Sequence, residues 1–376
     1  MASAIPRTAK ALILRKSPAG RSPSYHDVAL VEQPIPTLKP GELLVEMSAA
    51  AFNHRDLRIR KGMVPRIAIG STLGSNSAGK VIAAADSTDP LLGKRVFLTP
   101  MRGWESDPNG PAFCSKSNIP PLGTFAEYVV VERTEALPTP SHLTDKQAAA
   151  WPIAGLTAWR YQLIHDYLKR PSSLHRKGNI WPCARRSRPK RPHHGHRRRH
   201  RACRLQLCVA MGASVYVTSG SAEEIGKAVK LGTKGGVSYK DDTWPALLGA
   251  LLKKDTPTRP TLDAVIDSSG AEIMGKTSAY LKHAGKVVCY GMTVAPTISI
   301  TMREVMRHQQ LLGLSASRAG LTAPTAFLAE HKIVPIVSTV LEGLEEAERG
   351  FEMMRSGEQF GKIVIRIAAE NAKARL

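Results

Sequence analysis

The chain is poor in cysteine and has no apolar run long enough to cross a membrane. Its five cysteines are scattered over 376 residues and do not form the framework of a disulfide-rich secreted protein. A membrane-spanning helix needs about 20 consecutive apolar residues, which this sequence does not contain. The first residues, MASAIPRTAKALILRK, lack the charged-then-apolar order of a secretory signal. We therefore expect a cytoplasmic protein without a membrane partner.

Acidic residues are also scarce, and one segment has none. The chain has 31 Asp and Glu against 53 Lys and Arg, which gives a net charge of +22. Between Arg170 and Arg204 there are 13 Lys and Arg and no Asp or Glu. Without those 13 positive charges the net charge falls from +22 to +9. Much of the basicity, which would ordinarily suggest an anionic partner, is therefore a property of one segment.

The pattern of apolar residues changes along the chain. Residues 8–150 contain short β-rich stretches separated by Pro and Gly, whereas residues 206–315 alternate between helical and strand-like stretches. Such alternation predicts a parallel sheet with crossover helices. The strand ASVYVTS leads to a helix, SAEEIGKAVKLG, with Ser221 as a candidate cap and Gly232 as a stop. Near the end, an amphipathic helix, LEEAERGFEMMRSG, precedes a last strand, GKIVIRI.

A series of short motifs follows one order along most of the chain. They include AAFNHRDLRIRKG (50–62), LGSNSAGKVI (73–82), GTFAEYVVV (123–131), VIDSSG (265–270) and EQFGKIVIRI (358–367). With these motifs the chain resembles the medium-chain dehydrogenase/reductase superfamily, and within it the zinc-independent quinone oxidoreductase-like branch. The resemblance implies an α/β protein with a GroES-like, mostly-β catalytic domain in residues 1–155 and 321–376. It also implies a Rossmann domain, a doubly wound parallel sheet, in residues 156–320.

The basic stretch RPHHGHRRRHRACR (191–204) stands where a Rossmann unit needs its glycine-rich turn. Read one base later, the codons of residues 193–201 permit ITGIGGGI, which has the length and polarity of such a turn. We therefore hypothesise that residues near 161–204 reflect a frameshift or mis-splicing. A metal site is the weaker interpretation, because no pair of His or Cys has zinc-motif spacing. A nucleic-acid patch is also weaker, because no aromatic residue lies between Cys183 and Arg204 to stack on bases.

Zinc chemistry is not indicated by the residues at the positions that the family uses for it. Relatives with catalytic zinc have an early Cys, a GHE motif and a later Cys or Asp. Here the corresponding residues are Asn53 and Gly74-Ser75-Asn76, and PIAGLTAW contains no thiol. We expect no zinc, and without a Lewis acid a plain ketone or alcohol is harder to polarise. A quinone or an activated C=C or carbonyl compound is therefore the expected substrate, with a zinc-type alcohol dehydrogenase-like enzyme as an alternative.

The choice of cofactor depends on the end of the second Rossmann strand. NAD-binding folds usually place Asp or Glu there, about 20 residues after the glycines, to hold the ribose. The candidate cofactor-binding residues at and after this strand end are Ser219, Ser221, Lys227 and Tyr239. Hydroxyls and an ammonium suit a 2′-phosphate, so these residues predict NADP(H). Glu223 and Glu224 are counter-evidence, and we expect both of them on the following helix.

The resemblance also implies a set of residues near the nicotinamide, namely Asn53, Thr157, Ser268, Gly291, Phe360 and Lys362. We assign catalytic roles to Asn53 and Asp56, although Asp56 is equally interpretable as a structural salt-bridge partner. The expected activity is hydride transfer from NADPH to a small-molecule substrate. A non-catalytic relative, retained for binding or assembly, is the other alternative. We expect no nucleic-acid partner, and a homodimer is compatible with the sequence.

Overall fold

The computed structural model describes residues 5–20, 24–64, 67–100, 123–159, 179–183, 201–291, 294–295, 297–313, 319–357 and 360–368. The chain divides into two compact units. The first comprises Met1–Leu156 and Ala316–Leu376, and the second comprises Thr157–Ser315. Most of the segment assigned to a frameshift, including the glycine-turn position in 193–200, lies outside the described residues.

The strands within the described residues are numbered in chain order. They are β1 (Thr8–Arg15), β2 (Asp27–Pro34), β3 (Glu42–Ala51), β4 (Asn76–Ala84), β5 (Arg95–Leu98), β6 (Tyr128–Glu132), β7 (Ala136–Pro138), β8 (Asn179–Cys183), β9 (Ser214–Ser219), β10 (Gly235–Ser238), β11 (Leu262–Asp267), β12 (Leu281–Cys289), β13 (Gln310–Gly313), β14 (Val337–Glu342) and β15 (Lys362–Arg366).

The helices are numbered in the same way. They are α1 (His54–Arg60), α2 (Asp145–Ala150), α3 (Pro152–Trp159), α4 (Arg201–Ala210), α5 (Ala222–Lys230), α6 (Trp244–Asp255), α7 (Ile273–Ser278), α8 (Met302–Met306), α9 (Thr322–Glu330) and α10 (Ala347–Ser356). Helices α2 and α3 are separated at Trp151, since Pro152 cannot donate the backbone hydrogen bond that a single continuous helix would need there.

The second unit is built on a six-stranded parallel sheet with the order β10-β9-β8-β11-β12-β13. Numbered within the sheet, this is the order 3-2-1-4-5-6 of a doubly wound Rossmann fold, and it reverses between β8 and β11. Every residue of β9 and β11 is buried, as expected for central strands covered on both faces. The sequence prediction of a doubly wound parallel sheet is confirmed.

The first unit is mostly antiparallel. Its larger sheet has the order β14-β15-β3-β4-β5-β7, with β6 also paired to β3, and β1 and β2 form a separate antiparallel pair. The long strand β3 is the centre of this arrangement, because it pairs with β4, β6 and β15. Since β15 comes from the C-terminal part of the chain, both ends of the sequence contribute to one sheet. This is the GroES-like, mostly-β architecture that the resemblance implied.

Three phenylalanines fill the core of the first unit beside the start of α1. The ring centroids of Phe52 and Phe125 are 4.9 Å apart, and those of Phe52 and Phe351 are 5.1 Å apart in an edge-to-face arrangement. Arg60 is buried between the rings of Tyr25 and Phe351, with its guanidinium carbon 4.3 and 4.5 Å from their centroids. These packed rings fix the end of β3 and the whole of α1, which together carry the first part of the candidate site.

Candidate functional site

A buried polar cluster lies in the first unit where β3 ends, α1 begins and β15 begins. Lys362, at the start of β15, is only 2 % exposed. Its Nζ donates hydrogen bonds to Oδ1 of Asn53 at 2.5 Å and to the backbone carbonyl of Phe52 at 3.1 Å. The structure thus brings together Asn53 and Lys362, which are far apart in sequence. A buried ammonium needs such partners, because its desolvation is costly.

Asp56 completes this cluster from the first turn of α1. It is 0 % exposed, and its Oδ2 accepts a hydrogen bond from the backbone N–H of Asn53 at 2.8 Å. Burial raises the pKa of the Asp56 carboxyl to about 6. The Asn53 amide, the charges of Arg55 and Lys362 and the Gly74 amide lower this pKa and only partly offset burial. Asp56 is therefore a carboxyl that can titrate near neutral pH, which is the property expected of an acid–base group.

The bond from Lys362 also fixes the orientation of the Asn53 side chain. The Lys362 ammonium can only donate, so the amide atom that it contacts must be the oxygen, Oδ1. The other amide atom is then the nitrogen, Nδ2, which acts as a donor. Nδ2 donates to the carbonyl of Ala51 at 3.3 Å. A primary amide carries two N–H donors, and the bond to Ala51 uses one of them.

The positions that hold zinc in zinc-containing relatives carry amides and hydroxyls. Ser75 accepts a hydrogen bond from the Arg55 guanidinium at 3.4 Å, and Oδ1 of Asn76 accepts one from the Ile153 backbone at 3.2 Å. Over the part of the chain that the structure describes, no three His, Cys, Asp or Glu side chains are grouped so that they could hold a metal ion. Amide and hydroxyl groups are not the usual zinc ligands in proteins, so this donor set does not fit zinc.

The end of β9 in the second unit carries the predicted adenosine-side residues. Ser219 is buried, and its Oγ accepts a hydrogen bond from the backbone N–H of Ser221 at 3.2 Å. The Ser219 hydroxyl itself donates to Oε2 of Glu224 in a short hydrogen bond. Ser221 stands at the N-cap of α5, but its side chain forms no cap hydrogen bond.

Glu224 lies on α5, as expected, yet its carboxylate reaches back to the strand. It is 7 % exposed. A carboxylate from the following helix therefore reaches the strand end. Spacing along the sequence could not have revealed this contact, because it depends on which side of α5 faces the strand.

Lys227 and Tyr239 have different surroundings. Lys227 forms an exposed (i, i+4) ion pair with Glu223 at 2.7 Å. The backbone N–H of Tyr239 donates to the carbonyl of Ser219 at 3.2 Å. A Cβ atom added to Gly220 would lie 2.6 Å from the Tyr239 hydroxyl and 3.0 Å from Cε of Lys240. Because glycine has no Cβ, Gly220 lets Tyr239 and Lys240 approach the strand end. Lys240 was not among the residues predicted from the sequence.

Ser268 and Gly291, also in the second unit, follow the neighbouring parallel strands β11 and β12. A Cβ atom on Gly291 would lie 2.8 Å from the carbonyl oxygen of Ser268, so only glycine allows this approach. The Asp267 carboxylate shapes the loop after β11 by accepting hydrogen bonds from the backbone N–H groups of Ser269 (2.8 Å) and Gly270 (2.7 Å). The carboxyl ends of strands at the reversal point are where doubly wound folds bind ligands.

The last two predicted residues are half-buried. Thr157 lies on α3, and Phe360 directly precedes the β15 region. Within the first unit the structure thus groups Asn53, Asp56 and Lys362. In the second unit it groups Ser219, Ser221 and Tyr239 at one strand end, and Ser268 with Gly291 at another.

Two family models match the chain. The alcohol dehydrogenase GroES-like domain matches residues 39–141, and the zinc-binding dehydrogenase domain matches residues 202–326.

No helix among the described residues is long and apolar enough to cross a membrane.

Similar proteins cover nearly the whole chain. The zinc-type alcohol dehydrogenase-like protein YogA of Leptosphaeria maculans is 36% identical over 374 residues, which span 95% of this chain and 99% of that protein. The acryloyl-coenzyme A reductase of Metallosphaera sedula is 24% identical over 358 residues, which span 90% and 96% of the two chains.

Solved structures show the same architecture. The crystal structure of an NAD-dependent alcohol dehydrogenase aligns with a TM-score of 0.76 at 25% identity, covering 96% of this chain and 100% of that one. A crotonyl-CoA carboxylase/reductase, AntE, in complex with NADP aligns with a TM-score of 0.76 at 19% identity, covering 98% and 96%. The likeness to AntE concerns the fold alone.

Proposed function

Because the chain belongs to the medium-chain dehydrogenase/reductase superfamily, we propose that it is a zinc-independent, NADPH-dependent oxidoreductase. Its proposed substrates are quinones and small molecules with an activated C=C or carbonyl group. The cofactor would supply the hydride, and the protein would position the substrate and hold the cofactor.

The hydrogen bond from Lys362 to Asn53 carries the zinc-independent part of this proposal. Asn53 occupies the position of the early zinc-ligating Cys in zinc-containing relatives, and its amide oxygen is already bonded to an ammonium. A cation such as Zn²⁺ would be repelled by that positive charge. Without a Lewis acid, reduction favours a substrate that is already electron-poor.

Each group of residues has a proposed role. Ser219, Ser221, Lys227 and Tyr239 would hold the adenosine end of the cofactor, and Thr157, Ser268, Gly291, Phe360 and Lys362 would adjoin the nicotinamide. Asn53 would donate its second amide N–H to the substrate oxygen. Asp56 would relay the proton that the reduced product needs, since its pKa is about 6. The name of the acryloyl-coenzyme A reductase relative agrees with reduction of an activated double bond.

The test is an assay of NADPH oxidation by the protein expressed from its own sequenced transcript. We expect turnover with quinones and α,β-unsaturated carbonyl compounds and little with saturated ketones, and no change after treatment with phenanthroline or EDTA. Loss of activity with chelators and recovery with Zn²⁺ would instead establish a zinc-type alcohol dehydrogenase-like enzyme. Cofactor binding without turnover of any substrate would support the non-catalytic alternative.

A further inference from the structure

Asn76, the first residue of β4, is buried and uses only the oxygen of its side-chain amide. Oδ1 accepts a hydrogen bond from the backbone N–H of Ile153 at 3.2 Å. Because a backbone N–H can only donate, the amide atom that faces Ile153 is the oxygen, and the other is the nitrogen, Nδ2. Among the residues that the structure describes, Nδ2 has no hydrogen-bond partner. Asn76 is 0 % exposed, so its two N–H donors are also withdrawn from bulk water.

The unpaired nitrogen of Asn76 is not required by the local fold. The first N–H groups of a helix have no partner within it, and Oδ1 satisfies one of them at Ile153, in the first turn of α3. A carboxylate oxygen could accept the same bond. A buried donor that is left without a partner costs about 1–3 kcal/mol. The nitrogen is therefore an unfavourable choice for structure alone, and it points to a ligand that pairs with it.

The strand register places Asn76 on the same face of the sheet as Asn53 and Lys362. Ala51 of β3 pairs with Asn76 on one side and with Val364 of β15 on the other. Side chains two residues apart on a strand point to the same face. Asn53 follows Ala51 by two residues and has an extended backbone, with φ −128° and ψ 157°. Lys362 precedes Val364 by two residues, and its bond to Asn53 agrees with this placement.

Asn53 and Asn76 are diagonal neighbours across β3 and β4. Diagonal neighbours on adjacent antiparallel strands lie about 7–8 Å apart, and two amides at this separation can both reach one oxygen atom between them. We propose that Asn76 is a catalytic residue that donates an N–H to the carbonyl oxygen of the substrate, beside the second N–H of Asn53. This inference rests on the proposed function, and it adds a second donor to the same site.

The proposed donor acts on the charge that develops during reduction of an α,β-unsaturated ketone. A hydride from the nicotinamide forms a C–H bond at the β-carbon, the C=C π bond shifts to the α-carbon and the carbonyl carbon, and an electron pair moves onto the oxygen. N–H donors that face this oxygen stabilise its negative charge without a metal ion. A proton, relayed by Asp56, then adds to the α-carbon, and the C=O bond forms again.

The first measurement uses the full-length protein without cofactor and the enone dye 4-(dimethylamino)benzylideneacetone. The absorption of this dye moves to longer wavelength when its carbonyl oxygen is polarised. The wild type should produce such a shift, and phenanthroline should not change it. Asn76→Asp keeps an acceptor for the Ile153 N–H and removes both amide donors, so it should reduce the shift. Asn76→Leu, which adds no charge, should do the same and serves if Asn76→Asp does not fold.

The matched control is Ser77→Ala. Ser77 is also 0 % exposed, and its hydroxyl has no hydrogen-bond partner among the described residues. As the next residue of β4 it points to the opposite face of the sheet. Ser77→Ala therefore removes an equally buried polar group away from the proposed donor, and the shift of the dye should remain that of the wild type.

The second measurement follows NADPH oxidation with an enone. Removal of one donor to a developing oxyanion lowers kcat by about 10²–10³, so Asn76→Asp and Asn76→Leu should lose roughly a hundredfold or more. The dissociation constant for NADPH should not change in either variant, because the donor faces the substrate. Ser77→Ala should keep the kcat of the wild type.

The outcomes separate this inference from the proposed function. If Asn76 only anchors α3, Asn76→Asp keeps the dye shift and kcat of the wild type, which would overturn the inference and leave the function intact. Equal losses in Ser77→Ala, or a dye that binds to the wild type without a shift, would overturn it too. A wild type that shifts the dye but oxidises no NADPH with any acceptor would overturn the proposed function, and the dye shift in the Asn76 variants would still decide the inference.

Discussion

The Nζ atom of Lys362 lies 2.5 Å from Oδ1 of Asn53, across more than 300 residues of sequence. This bond joins β15 to the N-cap of α1 in a buried environment, beside the carboxylate of Asp56. The ammonium donates to one amide oxygen and one backbone carbonyl, and its charge lowers the pKa of the buried Asp56 carboxyl.

Replacing Lys362 with Met should destabilise the first unit strongly. Removing the ammonium leaves two buried acceptors, Oδ1 of Asn53 and the backbone carbonyl of Phe52, without this donor, and each unsatisfied buried group costs about 1–3 kcal/mol. Urea unfolding measures this loss. The matched control is Lys276→Met, because Lys276 pairs with the exposed Glu272 at 3.4 Å and should contribute less than about 1 kcal/mol. Equal losses in the two variants would contradict the role assigned to Lys362.

The stability of the protein should depend on pH through Asp56. Its pKa is raised from 3.8 to about 6 on folding, so between these values the folded protein binds more protons than the unfolded chain. The free energy of unfolding therefore falls as the pH rises through this window, by an amount on the order of 3 kcal/mol. Asp56→Asn should remove this dependence. A difference between wild type and variant that stays constant from pH 4 to 6 would contradict the assignment.

Lys227→Ala should weaken NADPH binding by roughly ten- to a hundredfold and leave NADH nearly unchanged, because a charge-assisted phosphate contact is worth about 1.5–3 kcal/mol. The Michaelis constants for the two cofactors provide the measurement. The competing interpretation is that Lys227 only forms its exposed ion pair with Glu223 and does not contact the cofactor. If neither constant changes, Lys227 belongs to that exposed pair alone, and Lys240→Ala becomes the variant to compare.

Gly74→Ala should be considerably more destabilising than Gly70→Ala. Both glycines have positive φ, of +97° and +91°, so either alanine incurs roughly 1–2 kcal/mol of backbone strain. Only at Gly74 would the new Cβ lie 2.5 Å from the Thr124 hydroxyl, whereas nothing lies within 4 Å at Gly70. Thermal unfolding should separate the variants by a further ~2 kcal/mol, and matching melting temperatures would contradict the packing around Gly74.

The transcript itself provides a prediction. Two features of this region, a proline in a central strand and a buried arginine, are unusual for a Rossmann unit. Pro182 lies in the central strand β8, where proline cannot donate to the sheet, and Arg204 is buried with its guanidinium 3.7 Å from the Tyr290 ring centroid. We expect the sequenced message to encode a glycine-rich turn near residues 193–200, in another reading frame. A message that encodes HHGHRRRH in frame would contradict the hypothesis.

The architecture could be predicted from the sequence because strands and helices are marked by local patterns of apolar and capping residues. A continuous apolar run identified β9, and Ser221 and Gly232 stand on either side of α5 as expected. The side-chain contacts of α5 could not be predicted from the sequence. Glu223 and Glu224 are chemically identical, and only the rotation of the helix against β9 buries one and exposes the other. The contact between Lys240 and Gly220 likewise depends on how two neighbouring strands of a folded sheet are aligned.

The participation of both chain ends in one sheet has a consequence for synthesis on the ribosome. Strand β3 is synthesised more than 300 residues before its partner β15, which begins at Lys362. The second unit is a continuous segment and can fold while the ribosome is still working. The first unit cannot complete its sheet until β15 is released. On one side of β3, Glu42–Glu46 pair with β6, but Ala49–Ala51 have β15 as their partner. A premature stop shortly before β15 would therefore remove a sheet partner and the buried Lys362 ammonium together, so that a short truncation would act as a defect in the core of the first unit.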